Sequence, residues 1–285
     1  MPDYVYQPTK RVDDHAAAVA RLRARVPNRV VDGGINTASA ESVERIHAAL
    51  VQENVSLSVF PIDCTEFGVY AERASKGFPY PDYYNSNFTE KFLEHFIALR
   101  LLAPAPGEVL LDIASEGSPL PAIAAGLMKS KAYAQDIMYK SGIHGDRIGG
   151  DACAMPVPDG FAASAALTCS IEHFEEDADI RLFRELARVL RPGGKVVVVP
   201  LYLWVEPAAL TDPSISATTD VRFDPEATVY CAKGWNNRHG RFYSAETLKR
   251  RILSQAGFRF TVFRLTGYEP LGSAYARWAL LGERL

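Results

Sequence analysis

The sequence predicts an α/β protein, a doubly wound and mostly parallel sheet covered on both faces, preceded by a helical N-terminal region. Three observations predict it. From Gly107 onward short apolar runs alternate with amphipathic stretches, the rhythm of βα units. Those runs are nearly continuous in Val, Ile, Leu and Ala, as strands buried on both faces are. The first two runs, Glu108–Ile113 and Ala132–Ile137, each carry an aspartate near the carboxyl end, Asp112 and Asp136, where open α/β sheets bind their ligands.

Each element has a local reason. Val19, Leu22 and Val26 follow helical spacing, as do Val43, Ile46, His47 and Leu50, and Ser39 with Glu41 suits the start of the second helix. Residues 76–86 contain GFPYPDYYNS, a turn-rich aromatic stretch that reads as a linker or lid. Asn87 with Glu90 starts the next helix, whose apolar face is Phe88, Phe92, Phe96 and Leu99. After the first strand comes a loop of small residues and a helix over about 121–128. The second strand is Ala132–Ile137, a weak third lies near Ile148, and the fourth is Ala163–Cys169. Asp179–Leu190 is an amphipathic helix, and Pro192-Gly193-Gly194 turns it into the strand Lys195–Leu203. Ser244 caps a helix that Gly257 ends, and strands over 258–265 and 274–281 close the chain. Residues 1–86 therefore read as a helical cap and lid, and 87–285 as the α/β domain with an insertion at about 204–243.

Composition bounds the function. The chain has 285 residues, 48% of them hydrophobic, and a formal net charge of -3. That balance does not favour nucleic acid as a partner. Cys64, Cys153, Cys169 and Cys231 are too dispersed for a metal knuckle or a disulfide framework, and a reduced cytoplasmic setting is expected. The opening residues show no signal pattern, and the longest apolar run, Lys195–Val205, is too short to span a bilayer, so no membrane partner is expected.

The chemistry-bearing residues cluster at strand ends. The loop Asp112-Ile113-Ala114-Ser115-Glu116-Gly117-Ser118 is small enough for close backbone approach to a ligand. Asp136 lies about 20 residues beyond it, the distance at which an acid accepts from ribose hydroxyls. Gly150-Asp151-Ala152 follows the third strand, and Ser170-Ile171-Glu172-His173 the fourth.

With LLDIASEGS, GDACAMPVPDG, SIEH and RELARVLRPGGKVVVV in that order, the chain resembles the class I S-adenosylmethionine-dependent methyltransferases, of the Rossmann-like, seven-strand, small-molecule subgroup. The resemblance covers about residues 87–285. It implies S-adenosylmethionine as cofactor, with Asp112, Ala114, Ser115 and Gly117 along its methionine end. It further implies Asp136 at the ribose, Asp151 and Ala152 at the adenine, and Ser170 beneath the sulfonium. Ala114, Glu116 and Ser118 replace the three glycines of that family's loop, and Ala162 stands where an aspartate is common.

Methyl transfer needs the acceptor held at near-attack distance, and a neutral hydroxyl also needs a base. His173, beside Glu172, is the first candidate, and His144 in the Ser141–Gly145 loop the second. His239, the third candidate, lies in the insertion with Trp235, Asn237 and Arg238, a mixture of stacking and hydrogen-bonding groups suited to a sugar or glycan acceptor; Tyr84 offers an opposite wall. Glu172, Glu175, Glu176 and Asp177 form an acidic run, which allows a divalent metal but is better explained as a solvated helix start, so no metal ligand is assigned. The expected activity is O-methylation of a small-molecule hydroxyl, leaning to a sugar. The competing readings are N- or C-methylation of another metabolite, a nicotinamide oxidoreductase, and a non-catalytic nucleoside-binding protein with a degenerate loop. A homodimer is compatible with the sequence but not required by it.

Overall fold

The computed structural model describes residues 13–27, 29–37, 39–215, 221–272 and 274–285; residues 1–12, read above for signal patterns, lie outside the described residues. The N-terminal region comprises α1 (His15–Arg25), β1 (Val30–Asp32), α2 (Ala40–Gln52), β2 (Leu57–Pro61) and α3 (Cys64–Gly77). All three helices start on an oxygen-bearing side chain, since Asp14, Ser39 and Asp63 each accept backbone N–H groups of the first turn, donors that otherwise lack partners. A 3-10 turn over Asp82–Asn87 then leads into α4 (Phe88–Leu102).

The α/β region runs β3 (Val109–Ile113), α5 (Leu120–Ile123, continued as a π turn over Ala124–Met128), β4 (Lys131–His144), β5 (Arg147–Gly149), β6 (Ala162–Thr168), α6 (Ala178–Val189) and β7 (Leu190–Val199). The insertion supplies β8 (Ala208–Thr211), β9 (Thr228–Cys231) and β10 (Gly240–Phe242). The short α7 (Ala245–Leu248), β11 (Phe258–Thr266) and β12 (Trp278–Arg284) complete the chain.

The main sheet has eight strands in the order β2-β11-β12-β7-β6-β3-β4-β5. Only β12 runs against its neighbours, β11 and β7; the other pairings are parallel apart from the return of β4 along β5. Alternate residues of the central strands feed two separate cores. Leu111, Ile113, Val196 and Val198 pack on the side of α6 with Leu182, Phe183 and Leu186. Leu110, Ala166, Val197 and Val199 pack on the side of α4 with Phe92, Phe96 and Ile97. Burial on both faces is why these strands carry little polar alternation.

Two expectations change. The first 86 residues are not a purely helical cap, because β2 pairs in parallel with β11 as an edge of the main sheet and β1 pairs with β9. Both strands are short and half exposed, so their sequences carry little periodic signal. The second strand does not stop near Ile137. It continues to His144, and residues 141–144 fold back along 147–149. A hairpin thus occupies the connection to β5, where parallel neighbours usually have a helix.

The insertion forms a second sheet, β1-β9-β8-β10, fastened to α6 by buried charge. Asp179 is fully buried and accepts from Arg251 at 2.7 Å, from the Tyr243 hydroxyl at 2.7 Å, and lies 3.3 Å from Arg241. Arg241, on β10, also bonds Asp224 at 2.8 Å and the carbonyls of Phe174 and Glu176. Removing one partner from such a network leaves an uncompensated buried charge. Asp179→Asn is therefore expected to lower unfolding free energy by about 3–5 kcal/mol, read from the urea midpoint.

Candidate active site

The chain order reverses between β3 and β6: β4 and β5 lie on one side of β3, and β6 and β7 on the other. Their carboxyl ends frame the crevice where doubly wound sheets take ligands. The turn after β3 departs from ordinary backbone, since Ala114 (φ 52°), Glu116 (φ 42°) and Gly117 (φ 77°) all take the left-handed conformation. For a non-glycine residue this costs roughly 1–2 kcal/mol. The end of β4 offsets that cost. Ala114 N–H donates to Gln135 Oε1 (3.3 Å), Ser115 N–H to Gln135 O (3.0 Å), Glu116 N–H to Asp136 Oδ2 (2.8 Å) and Gly117 N–H to Tyr139 Oη (3.3 Å). Asp136 also accepts the Met138 N–H at 2.9 Å. Four consecutive amides thus close onto one strand end, and the turn is fixed without the glycines it lacks.

Beneath the turn lies Asp112, with no exposed surface and no hydrogen-bond partner on either carboxylate oxygen. Burial pushes its carboxyl up to about 7; the nearby Ser118 hydroxyl opposes that rise and Asp136 adds to it. His95 and Tyr84 sit below: the Tyr84 hydroxyl is 3.4 Å and Ser118 Oγ 3.5 Å from His95 Nε2. Burial holds the His95 ring neutral, down at about 3, with Lys91 adding to the effect. Tyr84, expected as a substrate wall, is 2% exposed and supports this floor instead.

Across the crevice, residues 171–173 form a 3-10 turn after β6. His173 Nδ1 donates to His239 O at 2.6 Å, and His239 Nδ1 donates to Glu172 O at 3.0 Å. A carbonyl only accepts, so the proton of a neutral His173 ring stays on Nδ1 and Nε2 carries the free lone pair. That nitrogen is 3.6 Å from Glu172 Oε1. Glu172 is itself buried, and its Oε2 has no partner. The His173 ring tilts against Trp235 with centroids 6.0 Å apart and acts electrostatically on Glu116 of the turn. His239, an alternative base from the sequence, is 1% exposed and held neutral, at about 3, first by burial and then by Arg241; it locks the turn and has no surface to offer a substrate.

The other expected residues divide. Ser115 and Ser170 line the crevice floor, the latter donating to Ile113 O at 3.3 Å. Asp151 is exposed and folds onto the Cys153 N–H at 2.9 Å, with Arg181 3.7 Å away, while Ala152 is buried in the core. Arg238 is bidentate to Glu175 at 2.6 and 3.1 Å, and the Asn237 amide donates to Trp235 O, so the insertion spends those polar groups on its own fold. His144 is exposed on the hairpin, 2.9 Å from Ser141 O, and no described contact joins it to His173. The acidic run is ion-paired: Glu175 with Arg238, Glu176 with Arg222 and Asp177 with Arg181. Among the described residues no group of three His, Cys, Asp or Glu is placed to hold a metal ion, and no helix is long and apolar enough to cross a membrane.

Sequence reasoning missed Gln135, Tyr139 and a polar group on α4. Lys91 Nζ lies 3.2 Å from Glu94, whose carboxyl burial pushes up to about 8, and His95 follows. A signal existed, because Glu94 and His95 interrupt the stretch 92–99, which is otherwise apolar and buried throughout.

The family described as Methyltransferase domain matches residues 123–198. The chain is 29% identical over 184 residues to a demethylmenaquinone methyltransferase of Corynebacterium kroppenstedtii, covering 58% of this chain and 75% of that one. Among solved structures it is similar to a putative S-adenosylmethionine-dependent methyltransferase of Methanococcus maripaludis (20% identity, 38% of this chain and 54% of that one, TM-score 0.32). It is also similar to the Burkholderia thailandensis 1,6-didemethyltoxoflavin-N1-methyltransferase with 1,6-didemethyltoxoflavin and S-adenosylhomocysteine bound (12% identity, 80% and 93%, TM-score 0.45).

The crevice fits the cationic cofactor of that family. Asp136 acts electrostatically on both Glu116 and the buried Asp112 beneath the turn, so this strand end is acidic, a field that favours a cation. The folded-state carboxyl of Asp112 lies above its ordinary 3.8. Its ionisation therefore opposes folding: its stability contribution is intact below about pH 4 and lost as pH rises through about 7. Asp112→Asn is expected to match the parent's urea midpoint near pH 4 and exceed it at pH 8. The same variant should bind S-adenosylhomocysteine more weakly at pH 8, since a negative charge beneath the turn is lost. Titration calorimetry and urea melts at the two pH values check both.

Proposed function

We propose that the chain is a class I S-adenosylmethionine-dependent methyltransferase, a reading that the family match over residues 123–198 and the methyltransferase relative support, and that it methylates a hydroxyl on a small, ring-bearing acceptor, with His173 as the base. When bound, the cofactor supplies a methyl group already activated on cationic sulfur. Asp112, Ala114, Ser115 and Gly117 would hold its methionine end, Asp136 the ribose, Asp151 and Ala152 the adenine, and Ser170 the floor below the sulfur.

One observation carries the choice of oxygen: the 2.6 Å bond from His173 Nδ1 to His239 O. It fixes the tautomer, so Nε2 is ready to receive a proton from an acceptor hydroxyl as the new bond forms. Glu172, 3.6 Å from Nε2, stabilises the imidazolium that results. The half-buried Trp235, tilted against His173, offers an acceptor ring a flat apolar wall. Tyr83, 46% exposed and electrostatically linked to Glu116, offers a second. A glycan is less well supported than the sequence suggested, because Arg238 is engaged by Glu175 and the Asn237 amide by Trp235 O. The name of the relative, a demethylmenaquinone methyltransferase, does not point to a glycan either.

A screen with methyl-labelled donor against phenols, glycosides, amines and carbon acceptors tests this reading, with label expected on a hydroxyl oxygen; label confined to nitrogen or carbon overturns it. His173→Asn keeps a donor for His239 O but removes the basic nitrogen. It is expected to lower kcat by about 10²–10⁴-fold with S-adenosylhomocysteine affinity within about twofold. Equal losses in both quantities would show that the ring only braces the turn.

A further inference from the structure

Tyr139 belongs to no element that the sequence tied to the cofactor, yet its hydroxyl reaches the turn twice. It lies 3.1 Å from Ser115 Oγ and accepts the Gly117 N–H at 3.3 Å. We propose that Tyr139 is a positioning residue for the cofactor turn, holding Ser115 and Gly117 in place so that the turn keeps the left-handed conformation of Ala114, Glu116 and Gly117. The proposal rests on the reading that this turn receives the cofactor.

Three features support it. The turn holds non-glycine residues at positive φ, Ala114 and Glu116, so its shape must be imposed from outside. Gln135 and Asp136 bind the first three amides, and Tyr139 alone closes the fourth. The tyrosine is in turn aimed by the hairpin. The Arg147 guanidinium sits 5.1 Å from its ring centre, a cation–π contact. At Gly149 the return strand passes so close to Lys140 that a Cβ would lie 2.0 Å from the Lys140 carbonyl oxygen. The hairpin that takes the place of a crossover helix thus delivers a phenol to the turn.

Tyr139→Phe removes the hydroxyl and keeps the ring. In the full chain, titration with S-adenosylhomocysteine is expected to show a Kd raised about 3–10-fold, the equivalent of one net hydrogen bond. KM for the methyl donor should rise by a similar factor while kcat at saturation stays within about twofold. Without ligand, amide exchange at Glu116 and Gly117 should accelerate relative to the parent, with the thermal midpoint unchanged within about 2 °C, as for loss of one local contact. An unchanged Kd with unchanged exchange overturns the proposal. A tighter Kd in the variant also overturns it, by showing that the phenol obstructs the turn. If the parent itself binds no S-adenosylhomocysteine, the cofactor reading fails, and the ligand-free exchange comparison still decides whether Tyr139 holds the turn.

Discussion

The site depends on the closure of one turn onto one strand end. Ala114 through Gly117 point four successive N–H groups at Gln135, Asp136 and Tyr139, all at the carboxyl end of β4. Amides without partners at this position would leave the backbone free to relax out of the left-handed region, where Ala114 and Glu116 are unfavourable. Gln135 is itself fixed, its amide donating to Gly150 O at 2.7 Å, so the clamp extends through β4 into the segment after β5. Because the turn is pinned, Asp112 stays sealed below it, where burial pushes its carboxyl up to about 7.

A second constraint sets the opposite wall. The insertion is a small sheet joined to α6 by Arg241, Asp179, Arg251 and Asp224, all largely buried. The attachment carries residue 239 to the turn after β6, where the exchange of bonds between 172–173 and 239 fixes the His173 proton on Nδ1. A charge network remote from the crevice thus sets the tautomer of the residue facing it. Loss of the network would release the tautomer along with the sheet.

The two walls differ in what they ask of an incoming molecule. The turn side is acidic, with Asp112, Glu116 and Asp136 close together, and favours a cation. The insertion side presents the rings of His173 and Trp235, with its arginines already paired to Glu175, Asp179 and Asp224.

The sequence by itself determined the sheet and its ligand-binding end, because apolar runs buried on both faces and acids at strand ends are local patterns. The positions of Asp112, Asp136, Ser170, Glu172 and His173 near strand ends were legible for that reason, as was the amphipathic helix that precedes β7. It could not show that β1 and β2 join sheets formed mostly by distant strands, since short half-exposed strands have almost no periodicity. Nor could it show the hairpin of 137–149, which reads as a polar loop until Gly149 is seen passing Lys140. Only the tertiary structure decided which polar residues face the crevice and which are spent elsewhere. Tyr139 reaches the turn after β3, His95 lies buried beneath it, and Arg238 is spent on Glu175. Hydrogen-bond partners far apart in the chain made that choice, and residue spacing does not encode them.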